Sequence, residues 1–421
     1  MRIWYVYHNY YSGKVNTEYT KIETQREPEI TLAFSAKTLV FSVVNLLLYR
    51  GSYTRNYNKD NQPKIFTPMF VSLLSTNDRT IQPYHKPYIQ FMKTKFLLTI
   101  SMVLCYVFAS AQPVNKEYKL PGKGLKQHDF LYAGEWDMRK PTAQSMFLVR
   151  GGKVVWQYSI PLRTATGGIQ EFDDATLLSN GNIVYACMSG AGVITPQKNL
   201  IWQYVCAPGT ETHSCQPIGK DSVLMVLNGS VGKVLIFNTA TNKLLKEIII
   251  PTSSTNPHGQ FRHVRITPNK TIMVGLFAEK KVVEFDLNGK EVWSVNASSA
   301  WSAIRLHNGN TLISGDAEGY TREVNPKGET VWEFTKADAP FKIGNTQTAN
   351  RLANGNTVIC NWIAGNNKTE EWAGTVQVFE VTPDKKIVWA LSSWKNPDLG
   401  PSTYIQILDE PGNPDNGELQ R

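Results

Sequence analysis

The 421-residue sequence predicts an all-β fold: a six-bladed β-propeller, four antiparallel strands per blade, with the first blade closed by the C-terminal strand. Three observations predict it. A strand-turn-strand phrase built on Asn-Gly recurs, a second phrase ending on a tryptophan strand alternates with it, and the first and last units are incomplete in complementary ways.

The first phrase is Leu178-Ser179-Asn180-Gly181-Asn182-Ile183-Val184, echoed by Leu306-His307-Asn308-Gly309-Asn310-Thr311-Leu312 and Leu352-Ala353-Asn354-Gly355-Asn356-Thr357-Val358. Asn-Gly between β-rich runs is a strong hairpin signal, since both turn residues tolerate positive φ. The second phrase is Asp286-Leu287-Asn288-Gly289-Lys290-Glu291-Val292-Trp293, matched by Asn325 to Trp332 and Pro383 to Trp389, with Trp156 and Trp202 at the same place earlier. Each unit therefore reads as strand A, an Asn-Gly turn, strand B, a variable loop, strand C, a tight turn, and strand D. Apolar anchors of the innermost strand fall at Leu178, Ile218, Ile266, Leu306, Leu352 and Leu408, spaced 40, 48, 40, 46 and 56. Four short strands in a unit of that length make a propeller blade.

Residues 130–158 supply strands B, C and D without an A, and 404–408 supply an A alone. The C-terminal strand should complete the first blade and leave the ring without an open edge. The strand-D tryptophans (Trp156, Trp202, Trp293, Trp332, Trp389) occupy one repeat position and are expected to pack blade against blade. Blade three has Leu244-Leu245-Lys246 there instead.

Outside the repeats, Met92-Lys93-Thr94-Lys95 is a basic start, Phe96 to Phe108 an apolar run, and Ala109-Ser110-Ala111 a small-x-small site. That order is a secretory signal, and the run is too short to span a bilayer. The expected division is 1–91 as a mis-called upstream extension, 92–111 as signal peptide, 112–128 as leader, 129–411 as propeller and 412–421 as a disordered tail. The product is expected in the periplasm or secreted, and not membrane-spanning after cleavage. The chain carries 44 Lys and Arg against 35 Asp and Glu, but residues 1–111 hold 13 and 6 of them. The remainder, with 31 and 29, is close to neutral, and a nucleic-acid partner is excluded on that ground.

The units resemble the quinoprotein-type (PQQ-like) propeller repeat, with its strand, Asp-x-x-Gly-Lys turn and Val-Trp strand, over roughly residues 129–411. They are distantly similar to arylsulfotransferase propellers in their Asn-Gly-Asn strand pairs. The resemblance implies an exported bacterial propeller, and its sulfotransferase branch implies a histidine nucleophile near the channel. The quinone-enzyme form carries Thr-Gly before the Trp strand, where this chain has Asn288-Gly289, Lys327-Gly328 and Asp384-Lys385. No cofactor is expected.

In a propeller the D–A and B–C loops share one face; here they are long and differ in every blade, so function is expected there. The residues opening strand A, aligned on the anchors, are Asp173-Asp174, His213-Ser214, Phe261-Arg262, Trp301-Ser302, Gln347-Thr348 and Thr403-Tyr404. The B–C loops add Glu135, Trp136, Arg139, Asp316 and Glu318, then Trp362, Asn366, Glu370, Glu371 and Trp372. Trp136, Trp301, Trp362 and Trp372 fall outside the packing repeat. Beside Asp173, Asp174, Arg139, Gln347 and Tyr404 they suit a sugar, whose C–H face stacks while its hydroxyls bond sideways. The leading expectation is a recognition protein for a glycan. The alternatives are an enzyme on the same face (lyase, glycosidase or sulfotransferase) using His213, His258 or His263 with Arg262, and a protein–protein scaffold. No metal-ligand spacing occurs in the sequence, so no metal is expected. Cys206 and Cys215 bracket one loop as a candidate disulfide, and Cys187 and Cys360 read as buried small hydrophobes.

Overall fold

The computed structural model describes residues 6–11, 14–19 and 119–418. The chain forms two compact units, 1–112 and 113–421. In the first, Val6–Tyr11 pairs antiparallel with Lys14–Tyr19. The signal segment 92–111 lies outside the described residues, as does the rest of 1–91. Among the described residues, no helix is long and apolar enough to cross a membrane.

The second unit is a ring of six four-stranded antiparallel sheets, a β-propeller. The innermost strands are Phe172–Leu177, Cys215–Ile218, Phe261–Ile266, Ala300–Arg305, Asn345–Arg351 and Tyr404–Ile407. The last closes blade one by pairing with Phe130–Ala133, Tyr404 opposite Ala133 and Ile407 opposite Phe130. Apolar clusters lie between neighbouring blades. Phe130, Tyr132, Leu352 and Trp389 join blades one and six, and Leu224, Val234, Phe261 and Val274 join three and four. Burying these faces against one another is what holds a ring of small sheets together.

The Asn-Gly turns form, and the positive φ falls on Gly181, Gly309 and Gly355 and not on the preceding asparagine. Gly181 N bonds back to Leu178 O, a type I turn with glycine in the left-handed position, and Asn180 Oδ1 accepts from Asn182 N at 2.9 Å. The asparagine thus serves as an acceptor that holds the turn. The repeat tryptophans reach the next blade. Trp156, Trp293 and Trp332 donate Nε1–H to the carbonyls of Pro196, Pro326 and Pro383, and Trp202 to Asn242 Oδ1. Trp389 instead meets Gly124 O in the leader, which docks on blade six through a short 3-10 turn, Gly124–Lys126.

Two expectations need correction. Residues 412–418 do not trail away as a tail. Pro414–Asn416 forms a 3-10 turn, Asp415 is buried and accepts from Ser179 N at 2.8 Å, and Gly417 O accepts from Gln216 Nε2 at 3.1 Å. The register of strand A in blades three and four is also one residue later than Ile218 and Ile266 imply. Thr267 N bonds Thr271 O just as Leu178 N bonds Asn182 O, so Thr267 holds the anchor position. Its hydroxyl meets that of Thr271 at 2.5 Å, which lets a polar residue sit buried where other blades place leucine. In blade three, Ile218 pairs with Ser222 as Leu177 pairs with Ile183. The pairs aligned with Asp173-Asp174 are therefore Ser214-Cys215 and Arg262-His263, and Phe261 is core.

Candidate functional site

Strand A shifts register as it opens in blades two, four, five and six: between Phe172 and Asp174, Phe261 and Val264, Ala300 and Ser302, and Thr346 and Ala349. A bulge leaves residues unpaired and re-aims their side chains. The unpaired positions hold Asp173, Arg262, Trp301 and Gln347, all expected at the mouth and all buried. Loops from other blades converge on the same place with Glu135, Trp136, Glu171, Glu211, His213 and His258.

These residues form a connected polar cluster. His213 is fully buried, with Nε2 2.9 Å from Glu211 Oε1 and Nδ1 3.2 Å from Asp173 Oδ2 and 3.4 Å from Glu171 Oε2. His258 stands at the surface on the 3-10 turn Pro257–Gly259, its Nδ1 3.0 Å from the same Glu211 oxygen and its ring edge-on to that of His213. Trp136, held at φ 56°, donates Nε1–H to Glu171. Gln347 Nε2 donates to Glu135 Oε1 at 2.8 Å. Burial, then the charges of Glu171 and Asp173, push the Glu135 carboxyl well above its usual range, and burial pushes Asp173 up to about 6. For Glu171 burial acts upward too, but His213, His258 and Arg262 together outweigh it and its pKa falls. Burial and Arg262 both oppose charge on His213, yet Asp173 and Glu171 raise it well above 6.5.

Many buried polar atoms here have no hydrogen-bond partner in the protein: both Asp173 oxygens, Glu135 Oε2, Glu171 Oε2, Arg262 Nε and Nη1. Orphaned polar groups are rare in folded proteins and ask for an explanation. Their gathering at one end of the channel marks a site built for something other than stability.

The remaining expected site residues divide. His263 is buried with both nitrogens engaged: Nε2 donates to Asp173 O at 2.9 Å and Nδ1 accepts from Arg265 Nη2 at 3.1 Å. Burial lowers its pKa to about 3, so it is a neutral cross-channel strut rather than a base or nucleophile. Asp174 is committed to Arg265, which reaches its two oxygens at 2.7 and 3.0 Å. Tyr404 is buried 5.8 Å from the same guanidinium. Arg139 pairs with Asp137 and Asp398 at 2.7 and 2.8 Å over the Trp394 ring, and so is a loop clamp rather than a ligand contact. Trp372 offers no stacking face. It is fully buried, donates Nε1–H to Asn366 O and packs with Ile363, Ala364 and Trp394 beneath its own loop. Trp301 is buried under Arg262. Trp136 and Trp362 remain half-buried, edge to face, ring centroids 6.3 Å apart.

Sequence reasoning missed Glu171 and Glu211. Each lies two residues ahead of a residue already singled out, Asp173 and His213, in a loop without repeat character. The expectation of no metal-ligand set followed from spacing alone. The fold brings donor atoms of Glu171, His213 and His258, and of Glu135, Glu171 and Asp173, to within 4.8 Å of one another in each trio. Cys206 and Cys215 do not bridge; they are free thiols, as are Cys187 and Cys360. Cys215 points into the core between blades two and three, away from the loop that carries Cys206. A cavity of about 480 Å³ opens between blade one and residues 397–401, and none of the expected site residues lines it.

No family model matches the chain, and no curated protein does. Among solved structures, a Bacteroides caccae protein of unknown function aligns at 22% identity and TM-score 0.58, over 66% of this chain and 98% of that one. A catalytically inactive virginiamycin B lyase from Staphylococcus aureus with quinupristin aligns at 13% and TM-score 0.44, over 66% and 90% of the chains, and a streptogramin B lyase at 12% and 0.42, over 62% and 82%. The first likeness shows the propeller fold and nothing finer.

Proposed function

We propose that this protein binds a compact anionic molecule, an acidic sugar or the acidic end of a glycan fragment, at the channel mouth. Arg262 carries the reading. Its side chain is buried, its guanidinium lies 4.7 Å over Trp301 and 5.4 Å over Phe277, and among the described residues it makes no ion pair. A buried charge without a partner is costly, and a guanidinium packed against two rings is a preformed fork for a carboxylate or sulfate. Half-buried Trp136 and Trp362 supply aromatic surface for the C–H face of a sugar ring. With Trp301 and Trp372 removed as platforms, the surface suits a short ligand better than a long chain lying across the face.

Turnover of that ligand is a second reading, favoured by His258. Its ring is part-exposed beside the cluster and oriented by Glu211, the arrangement of a base held for proton transfer.

The test is calorimetric titration of the purified protein with uronic, sulfated and neutral mono- and oligosaccharides, followed by mass spectrometry of the ligands. Acidic sugars should bind and neutral ones should not. Arg262→Met should lose at least tenfold in affinity without lowering the melting temperature, since it removes an unpaired buried charge. Equal binding of neutral sugars, or an Arg262→Met variant that binds normally, would overturn the proposal. A His258-dependent mass change would establish turnover.

A further inference from the structure

The anion anchor leaves the neighbouring carboxylates and imidazole unexplained. Asp173 is fully buried and neither of its oxygens has a hydrogen-bond partner. His213 is fully buried too. With Nε2 committed as donor to Glu211, its Nδ1 turns toward Asp173 and Glu171 and makes an aligned hydrogen bond to neither. The unbonded Nδ1 of His213 thus faces a carboxylate oxygen of Asp173 at 3.2 Å and one of Glu171 at 3.4 Å.

We propose that Glu171, Asp173 and His213, with Glu135 and His258 at hand to complete the set, bind a divalent first-row transition-metal ion at the channel mouth. The spacing supports this. Bonds of roughly 2.0–2.1 Å in a tetrahedral site set ligand atoms about 3.3 Å apart. His213 Nδ1 lies 3.2 Å from Asp173 Oδ2 and 3.4 Å from Glu171 Oε2. The surroundings support it as well. A metal-bound imidazole normally donates its other N–H to a carboxylate, and ligating carboxylates are themselves hydrogen-bonded. Here Glu211 takes the His213 Nε2–H, Trp136 donates to Glu171 Oε1, and Gln347 donates to Glu135. Each of these bonds engages one atom of its residue and leaves the other, His213 Nδ1, Glu171 Oε2 or Glu135 Oε2, without a hydrogen-bond partner. Mixed imidazole and carboxylate donors select Zn²⁺ or Mn²⁺ over Ca²⁺ and Mg²⁺, which prefer all-oxygen sets. The dication also neutralises buried carboxylates that otherwise face one another.

The inference does not rest on the anionic-ligand reading: Arg262 supplies no donor to this set, and its removal takes away only a nearby positive charge. The competing arrangement is metal-free, with His213 as an imidazolium between Asp173 and Glu171.

The experiment uses the full chain, stripped with a chelator, then titrated with Zn²⁺ and with Mn²⁺ by calorimetry. Metal content is read by mass spectrometry after dialysis, and melting temperature is read with and without metal. One ion per chain and a raised melting temperature are expected, since a ligand that binds only the native state stabilises it. His213→Gln and Asp173→Asn should each weaken binding by at least tenfold, and Glu211→Gln by about 10–100-fold through its hold on the imidazole. Asp173→Asn is nearly isosteric and keeps the test open if His213→Gln does not fold. Arg262→Met should retain metal at equal or higher affinity, so loss of sugar binding in that variant leaves this proposal standing. Binding below one ion per chain at saturating metal would overturn it, as would unchanged affinity in both Asp173→Asn and His213→Gln.

Discussion

Adjacent aspartates at the mouth of blade two are predicted to behave in opposite ways. Asp174 is fully buried and gives both oxygens to Arg265, whose side chain is 4% exposed, while Ser214 Oγ and Cys215 N also donate to it. Asp174→Ala strands that guanidinium away from water, and breaking a buried pair from one side costs about 3–5 kcal/mol. At roughly 2–4 °C per kcal/mol for a domain of this size class, the melting temperature should fall by about 6–20 °C. Asp173→Asn removes one of three mutually repelling buried carboxylates that has no hydrogen bond to lose, and should leave the metal-free protein as stable as wild type or more so. The assay is thermal and denaturant unfolding of chelator-stripped protein, with Asp174→Leu/Arg265→Met as the control. Removing both charges should recover much of the loss. An Asp174→Ala variant within about 1 kcal/mol of wild type would refute the reasoning, because the pair would then not hold the channel wall. So would a double variant as unstable as the single one.

Two further outcomes follow from the seams of the ring. His128 Nε2 lies 3.1 Å from Glu380 Oε2 and Nδ1 3.1 Å from Asp409 Oδ2, tying the leader to blade six and the segment that follows the C-terminal strand. Burial alone would lower its pKa, but the two carboxylates raise it, so its contribution is complete below the unfolded value near 6.5 and fades as pH climbs through the folded one. His128→Gln should therefore cost about 1 kcal/mol at pH 5.5 and less at pH 9, measured by urea unfolding at both. Asp415→Ala should destabilise the protein by about 1–2 kcal/mol in the same assay, since Ser179 N–H and hydroxyl lose their acceptor; no change would mean the C-terminal turn does not dock in solution.

The fold is legible in this sequence because a blade is a local object. Gly181, Gly309 and Gly355 sit at a turn that needs positive φ, and Trp156, Trp293 and Trp332 sit where an indole N–H meets a carbonyl of the next blade. These demands recur at each repeat, and recurrence exposes them without any tertiary knowledge. Register is less legible, because Thr267 satisfies the leucine position through a hydroxyl pair with Thr271 that apolar matching does not see.

The site is illegible for the opposite reason: its residues matter where the repeat is broken, and they meet only through closure. Gln347 reaches Glu135 across 212 positions and His263 reaches the Asp173 carbonyl across 90, separations that no motif encodes. Tryptophans drew attention because they are few and large, yet Trp372 went to anchor its own loop, and the unpaired groups are the small acids Glu171 and Asp173 on either side of Phe172. Two of the contacts that shape the mouth, Gln347 with Glu135 and Trp362 with Trp136, join blade six to blade one. That is the seam closed by Tyr404–Ile407 against Phe130–Ala133. The cluster can therefore exist only in the closed ring, so the strand pairing that removes the last open edge is also the step that assembles the site.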